Sequence, residues 1–406
     1  MRQTFRSLAS ANYRIWAAGA LISNVGTWMQ RTAQDWLVLT ELTHRNATAV
    51  GIVMGLQFGP QILLLPLTGY AADHLDRRKL LFCTQAAMGL LALGLGLLVV
   101  TGLVQLWHVY VFAFCLGCAA AFDAPARQAF VSELVEEQHL PNAVALNSTS
   151  FNAARMVGPA IAGGVIAAVG SGYVFLINAV SFLAVLFALA ALRLGPERPH
   201  LRASRGGLTD GFRYVLGRAD LKIVFLMLFL VGTFGLNFPI FISTMAVSVF
   251  HVGAGQFGLL TSMMAAGSVT GALLAATRTK PSIALLLTAA AIFGVTCAGA
   301  AVAPSYLAFG LVLFVVGLAA QTFTTSTNSM AQISTEPHMR GRVIAILLAI
   351  ALGGTPIGAP IVGWIADHLG PRWALGMGAA SGILAAAIAG LYLAERRQAN
   401  PGAGPA

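Results

Sequence analysis

Three ionisable side chains fall inside long apolar stretches of this 406-residue chain: Arg31, Asp35 and Arg155. Placing such a group in hydrocarbon costs about 2.5–3.5 kcal/mol on insertion scales, so each must face a partner or an aqueous cavity. Asn24, Trp28, Arg31 and Asp35 step by four, three and four residues and so share one helix face. Ser148, Asn152 and Arg155 do the same. A carboxylate that alternates between wet and drier surroundings, with a guanidinium close by, can take up and release a proton as those surroundings change. Asp35, Arg31 and Arg155 are therefore the candidate proton-handling set. The alternative is a static Arg31–Asp35 pair at i, i+4 that neutralises charge for packing. Arg155 could discharge Asp35 in one conformation or meet an anionic group on a ligand.

Other polar side chains in apolar stretches extend the candidate cavity: Asn24, Trp28, Gln57, Gln61, Asn152, Asn237 beside Thr233 and the kink at Pro239, and Gln321 with the polar run to Asn328. Each could equally satisfy a neighbouring backbone group. The four cysteines, Cys83, Cys115, Cys118 and Cys297, have no metal-type spacing with histidine, so neither a metal nor a cofactor is expected. Paired carboxylates and a nucleophile with a base at suitable spacing are missing, which argues against an enzyme. The chain also lacks a G-x-x-x-x-G-K-(S/T) loop, so energy must come from a gradient or a separate subunit.

The elements that position these residues follow from composition. The chain is 57% hydrophobic and 9% charged, against roughly a quarter charged in a soluble domain. Apolar stretches of about 20 residues, the length that spans a bilayer core, recur from end to end. They divide into spans near 13–39, 48–71, 80–101, 108–126, 142–168, 173–192, 219–246, 256–277, 282–302, 305–329, 342–366 and 373–394. The net charge of +10 would suggest nucleic acid if it lay on one soluble surface, but its placement points to a bilayer. With a cytoplasmic N-terminus, only Arg45 and Arg372 fall in outer loops and only Arg31 and Arg155 within spans. The other basic residues lie inside, which sets both orientation and an even span count. Trp36, Trp107 and Trp373 read as aromatic anchors at outer span ends, and Tyr13 and Trp16 at an inner one.

Residues 193–218 are the longest polar stretch and read as a cytoplasmic linker. Phe212, Val215 and Leu216, set among Arg213 and Arg218, fit a short helix on the inner leaflet. The flanking regions repeat: Gly117, Ala119, Ala120, Gly158, Ile161, Gly163 and Gly170 each match the residue numbered 200 higher. The expected fold is all-α with twelve transmembrane helices in two six-helix pseudo-symmetric halves, 1–192 and 219–394, and a cytoplasmic tail at 395–406. Parallel repeats of this kind place a binding site between them and work by rocking.

After the second span the chain reads Gly69-Tyr-Ala-Ala-Asp73-His-Leu-Asp76-Arg77-Arg78-Lys79, which resembles the G-x-x-x-D-(R/K)-x-G-(R/K)-(R/K) signature of the major facilitator superfamily. The resemblance implies that Gly69, Asp73, Asp76, Arg77 and Arg78 form a conformational latch, although Asp76 replaces the usual glycine and His74 the usual base. Gly158-Pro159-Ala-Ile-Ala-Gly163-Gly164 resembles the motif associated with antiporters of that superfamily. The wording Trp28-Met-Gln-Arg-Thr-Ala-Gln-Asp35-Trp, Phe122-Asp-Ala-Pro-Ala-Arg127 and Pro141-Asn-Ala-Val-Ala-Leu-Asn147 looks like the subfamily that includes the enterobactin exporter and actinobacterial multidrug efflux proteins. An arginine within the fourth span, usual in drug antiporters of this type, is absent, and Arg127 stands at that span's inner end beside Asp123.

The resemblance implies a proton-driven exporter of small amphipathic molecules, drugs or siderophores, in a bacterial inner membrane. Both termini would be cytoplasmic and the protein a monomer, with small molecules, protons and lipid as its partners and no nucleic acid. Two alternatives stand beside it: an uptake permease of the same fold, and a receptor or assembly partner that does not transport.

Overall fold

The computed structural model describes residues 6–193, 208–276, 282–336 and 338–399. The expectations placed on residues 194–207 of the linker, on Arg2, Arg278 and Lys280, and on the tail from 400 lie outside the described residues, as does the side chain of Asp73. The described residues are helical, with no strand among them. In order they form α1 (Ala11–Trp36), α2 (Ala47–Leu63), α3 (Leu65–His74), α4 (Arg77–Val100), α5 (Leu106–Leu134), α6 (Leu140–Val169), α7 (Ser171–Ala191) and α8 (Leu208–Gly217). Then come α9 (Ala219–Leu230), α10 (Phe238–Thr244), α11 (Ala254–Ala276), α12 (Ile283–Ala301), α13 (Tyr306–Ile333), α14 (Arg340–His368) and α15 (Pro371–Ala399). Among the described residues ten helical stretches are long and apolar enough to cross a bilayer, with α9 and α10 counted as one; α1, which carries the charged stripe, and the 17-residue α2 are not among them.

Local chemistry sets the boundaries. Ser10, Ser282 and Ser305 accept from the backbone N–H three residues on and start α1, α12 and α13. Gly170 and Gly370, with φ of +97° and +104°, form the tight corners after α6 and α14, a backbone region costly for any residue with a Cβ.

The expected second span is broken at Leu64 (φ −92°, ψ 0°), with Pro66 in the first turn of α3, because proline cannot donate the next helical hydrogen bond. The seventh is also discontinuous: after α9 the chain is π-helical over Val231–Gly235, and α10 restarts past Asn237 with Pro239 in its first turn. The fourth runs on to Leu134, past its expected end at 126. The short linker helix is present as α8, with Phe212 and Leu216 exposed and Val215 buried. Tyr13 and Trp16 are not interfacial anchors. They are 1% and 0% exposed, with Tyr13 Oη donating to the Ala143 carbonyl at 2.8 Å and Trp16 packed edge-on against Phe130.

The chain forms two compact units. The first comprises residues 1–44, 56–203 and 253–262. Its core gathers Tyr13, Trp16, Leu81, Phe130, Val185 and Leu189, with α1 packed on α6 and α7, and α4 on α5 and α7. The second comprises residues 45–55, 204–252 and 263–406, cored by Phe225, Phe293, Cys297 and Phe323, with α12 packed on α13 and α15. In this unit the Asp367 carboxylate accepts from Ala47 N (2.7 Å), Thr48 N (2.8 Å) and Thr48 Oγ1 (2.5 Å), so it caps the N-terminus of α2, where the helix dipole favours an anion.

Candidate functional site

α1, α2 and α6 bring the charged stripe together within the first unit. The close approach of α1 to α6 depends on Gly158: a Cβ there would lie 2.7 Å from Trp28 Cβ and 3.1 Å from the Val25 carbonyl oxygen. Small residues at such crossings let membrane helices pack backbone to backbone. Arg155, one turn before Gly158, is thereby carried to Trp28, with its Cζ 6.0 Å from the indole centroid. Arg31 Cζ lies 5.1 Å from the same ring and 5.5 Å from Phe58 of α2. Phe151 meets Trp28 edge-on at 5.7 Å. The two guanidiniums thus converge on one indole, each contact being worth ~0.5–2 kcal/mol according to its desolvation.

Asp35 closes no ion pair with either arginine. Among the described residues no such pair lies within 4 Å, so the static Arg31–Asp35 pair is not formed. Beyond Asp35, Trp36 stacks on Phe257 at 5.8 Å and α1 loosens into π-helix over Leu37–Leu42. Asn24, at the other end of the stripe, accepts from Arg127 at 3.4 Å. Asn152 is occupied on its own helix, donating to the Ser148 carbonyl at 2.9 Å.

A second polar cluster was legible in the sequence only as Arg127 beside Asp123. Asp123 is buried in α5 and accepts from Thr84 Oγ1 (2.9 Å), Gln85 Nε2 (2.6 Å) and Arg127 Nε (3.1 Å), with Arg127 Nη2 at 3.0 Å. Arg127 also lies over the Trp16 ring at 5.8 Å. Because α5 continues to Leu134, Asp123 and Arg127 stand within the helix. The i, i+4 spacing of the two was the available signal.

The remaining candidates are distributed. Gln61 donates to the Gln57 carbonyl at 3.4 Å, and that same carbonyl oxygen would lie 2.5 Å from a Cβ at Gly117, so this face of α2 packs on α5. In the second unit Asn237 is fully buried and donates to the Thr233 carbonyl at 2.7 Å across the helix break, while Gln321 donates to Thr325 at 3.1 Å. Asn237 is therefore a backbone partner at the break. Gly163 packs on α11, where a Cβ would lie 2.5 Å from the Ala254 carbonyl oxygen, and the Pro159 carbonyl lies against Gly258; Gly164 faces open space.

The latch residues are engaged within the first unit. Asp76 caps α4 by accepting from Lys79 N at 3.1 Å, Arg77 pairs with Glu133 at 2.8 Å, and Arg78 donates to the Leu189 and Ala190 carbonyls at 2.8 and 3.1 Å. A Cβ at Gly69 would meet nothing within 4 Å.

The sequence profile of the family described as transmembrane secretion effectors matches residues 3–400. The staphyloferrin A transporter of Staphylococcus aureus is 25% identical over 350 residues, covering 85% of this chain and 87% of its own. The multidrug efflux pump Tap of Mycobacterium tuberculosis is 27% identical over 378 residues, 86% of each chain. The enterobactin exporter EntS of Shigella flexneri is 24% identical over 347 residues, 81% of this chain and 79% of its own. Among solved structures, a bacterial homologue of the human lysosomal transporter Spinster in an inward-facing, occupied conformation superposes with a TM-score of 0.76 at 15% identity, over 98% of this chain and 99% of that one. This last likeness shows the fold alone.

Proposed function

The chain belongs to the transmembrane secretion effector family of major facilitator transporters, and from that premise we propose that it is a proton-coupled exporter of small amphipathic molecules, working by alternating access. Asp35 carries this reading: a carboxylate on the charged stripe of α1, beyond ion-pair distance of Arg31 and Arg155, and so free to exchange a proton with whichever face it meets. The efflux and siderophore-export activities named for the relatives support export, since fold alone does not set direction.

The architecture proposed for this cycle has twelve spans. α1 and the α2–α3 pair join the ten apolar stretches, and residues 1–192 and 219–394 are pseudo-symmetric halves joined by the linker at 193–218. Matched glycines support it by doing matched work. Gly163 packs on the start of α11 and Gly363 on the start of α2; Gly117 packs on α2 and Gly317 on α11; Gly158 packs on α1 and Gly358 on the π-helical Thr233. The distribution of basic residues supports cytoplasmic termini in a bacterial inner membrane. The latch, Gly69 to Arg78, would stabilise one state of the cycle, and Asp367, which ties α2 to α14 within the second unit, the opposite one. The test is Asp35→Asn in proteoliposomes under an imposed proton gradient. Gradient-driven transport is lost while facilitated exchange persists; gradient-driven transport at the wild-type rate would remove Asp35 from the mechanism.

A further inference from the structure

Arg31 and Arg155 approach a single aromatic side chain. Their guanidiniums lie 5.1 and 6.0 Å from the Trp28 ring centroid, Phe58 and Phe151 flank the arrangement, and the residues come from three helices of one unit. Among the described residues neither guanidinium has a hydrogen-bond partner or an ion pair within 4 Å. Other arginines do have partners: Arg77 pairs with Glu133, Arg127 with Asp123 and Arg218 with Asp220, while Arg78 and Arg372 donate to backbone carbonyls. A guanidinium presents five N–H donors in a planar fork that matches a carboxylate or another planar oxyanion. Two such forks beside one indole leave their donors to be met from outside, and Asp35 offsets at most one of the two charges.

We infer that Trp28, Arg31 and Arg155 form the substrate-recognition site, and that its ligand is an organic anion whose carboxylate or similar planar oxyanion lies beside an aryl or other flat apolar group. This inference rests on the transporter reading and narrows its substrate to anions. The flat group stacks in the Trp28–Phe151 aromatic corner while the oxyanion takes donors from both arginines, which separates an anionic amphiphile from a neutral or cationic one of the same shape. Arg31 and Arg155 are thereby substrate-recognition residues, and Asp35 alone is left to carry the proton.

The test uses the full chain in proteoliposomes and three probes with one aryl group: N-naphthoylglycine, its neutral amide, and the matching trimethylammonium derivative. Binding is read by equilibrium dialysis and transport by release on applying a gradient. The carboxylate binds at least ten-fold tighter than the amide. Arg31→Gln with Arg155→Gln compresses that ratio to within about two-fold, while Arg155→Lys, which keeps the charge, retains part of the preference and shows that the site still forms. Equal or tighter binding of the ammonium probe, or a carboxylate preference unchanged in the double variant, overturns the inference. Movement of the amide or ammonium probe in that event leaves the transporter reading standing, whereas no gradient-driven movement of any of the three overturns it as well.

Discussion

Removing the Asp123 carboxylate tests whether the buried α1–α4–α5 cluster is a structural brace. Asp123 accepts from Thr84, Gln85 and Arg127; Thr84 keeps the Leu81 carbonyl at 3.1 Å, so Asp123→Ala deprives chiefly Gln85 and Arg127, the latter a guanidinium with a side chain 16% exposed. Breaking a buried ion pair by deleting one member typically costs 3–5 kcal/mol, mostly from the uncompensated charge left behind. The Arg127–Asn24 contact at 3.4 Å and the nearby Trp16 ring recover part of this, which puts the expected loss at about 3 kcal/mol. Arg127→Met removes the stranded charge, and the double variant should be more stable than Asp123→Ala alone by about 1–2 kcal/mol, a coupling that a double-mutant cycle isolates. The assay is unfolding in mixed micelles followed by near-ultraviolet circular dichroism, with binding of the carboxylate probe as a check on the site. A loss under 1 kcal/mol for Asp123→Ala, or strict additivity with Arg127→Met, would refute the brace.

Asp367→Ala removes three hydrogen bonds from the first turn of α2; by analogy with cap deletions it costs about 1–2 kcal/mol and raises hydrogen exchange at Ala47 to Val50, and protection equal to wild type would count against the cap. Gly158→Val places side-chain atoms where a Cβ alone would already be 2.7 Å from Trp28 Cβ; overpacking of this kind costs about 1–3 kcal/mol, and by separating α1 from α6 it lowers carboxylate-probe affinity as well as stability, whereas unchanged affinity would show that the crossing does not position Trp28.

The positions of most helices were legible because long apolar runs mark them directly. Arg31, Arg155 and Trp28 could be picked out from apolar context and helical spacing. What spacing cannot reveal is which partner a polar group meets across a helix crossing. Asp123 could thus be set beside Arg127 but not beside Thr84 and Gln85 of α4, and the Arg31–Asp35 pair, plausible at i, i+4, is not closed. Tyr13 and Trp16 carry the composition of interfacial anchors, yet the packing of α1 against α5 and α6 buries them. The break at Leu64 was written in Pro66, but the hydropathy of the stretch is continuous across it. For Asn237, set beside the kink at Pro239, spacing left a cavity role and a backbone role open, and the break at Leu236–Asn237 realises the backbone contact.

Proton flux measured together with substrate flux tests the central claim most directly. Full-length protein is reconstituted with a pH-sensitive dye trapped inside the liposomes, and substrate is added without an imposed gradient. The account predicts that substrate moving one way drives protons the other way in wild-type protein and that Asp35→Asn abolishes the proton signal while substrate still equilibrates. Substrate movement with no accompanying proton movement in the wild type, or the same proton signal in Asp35→Asn, would contradict it.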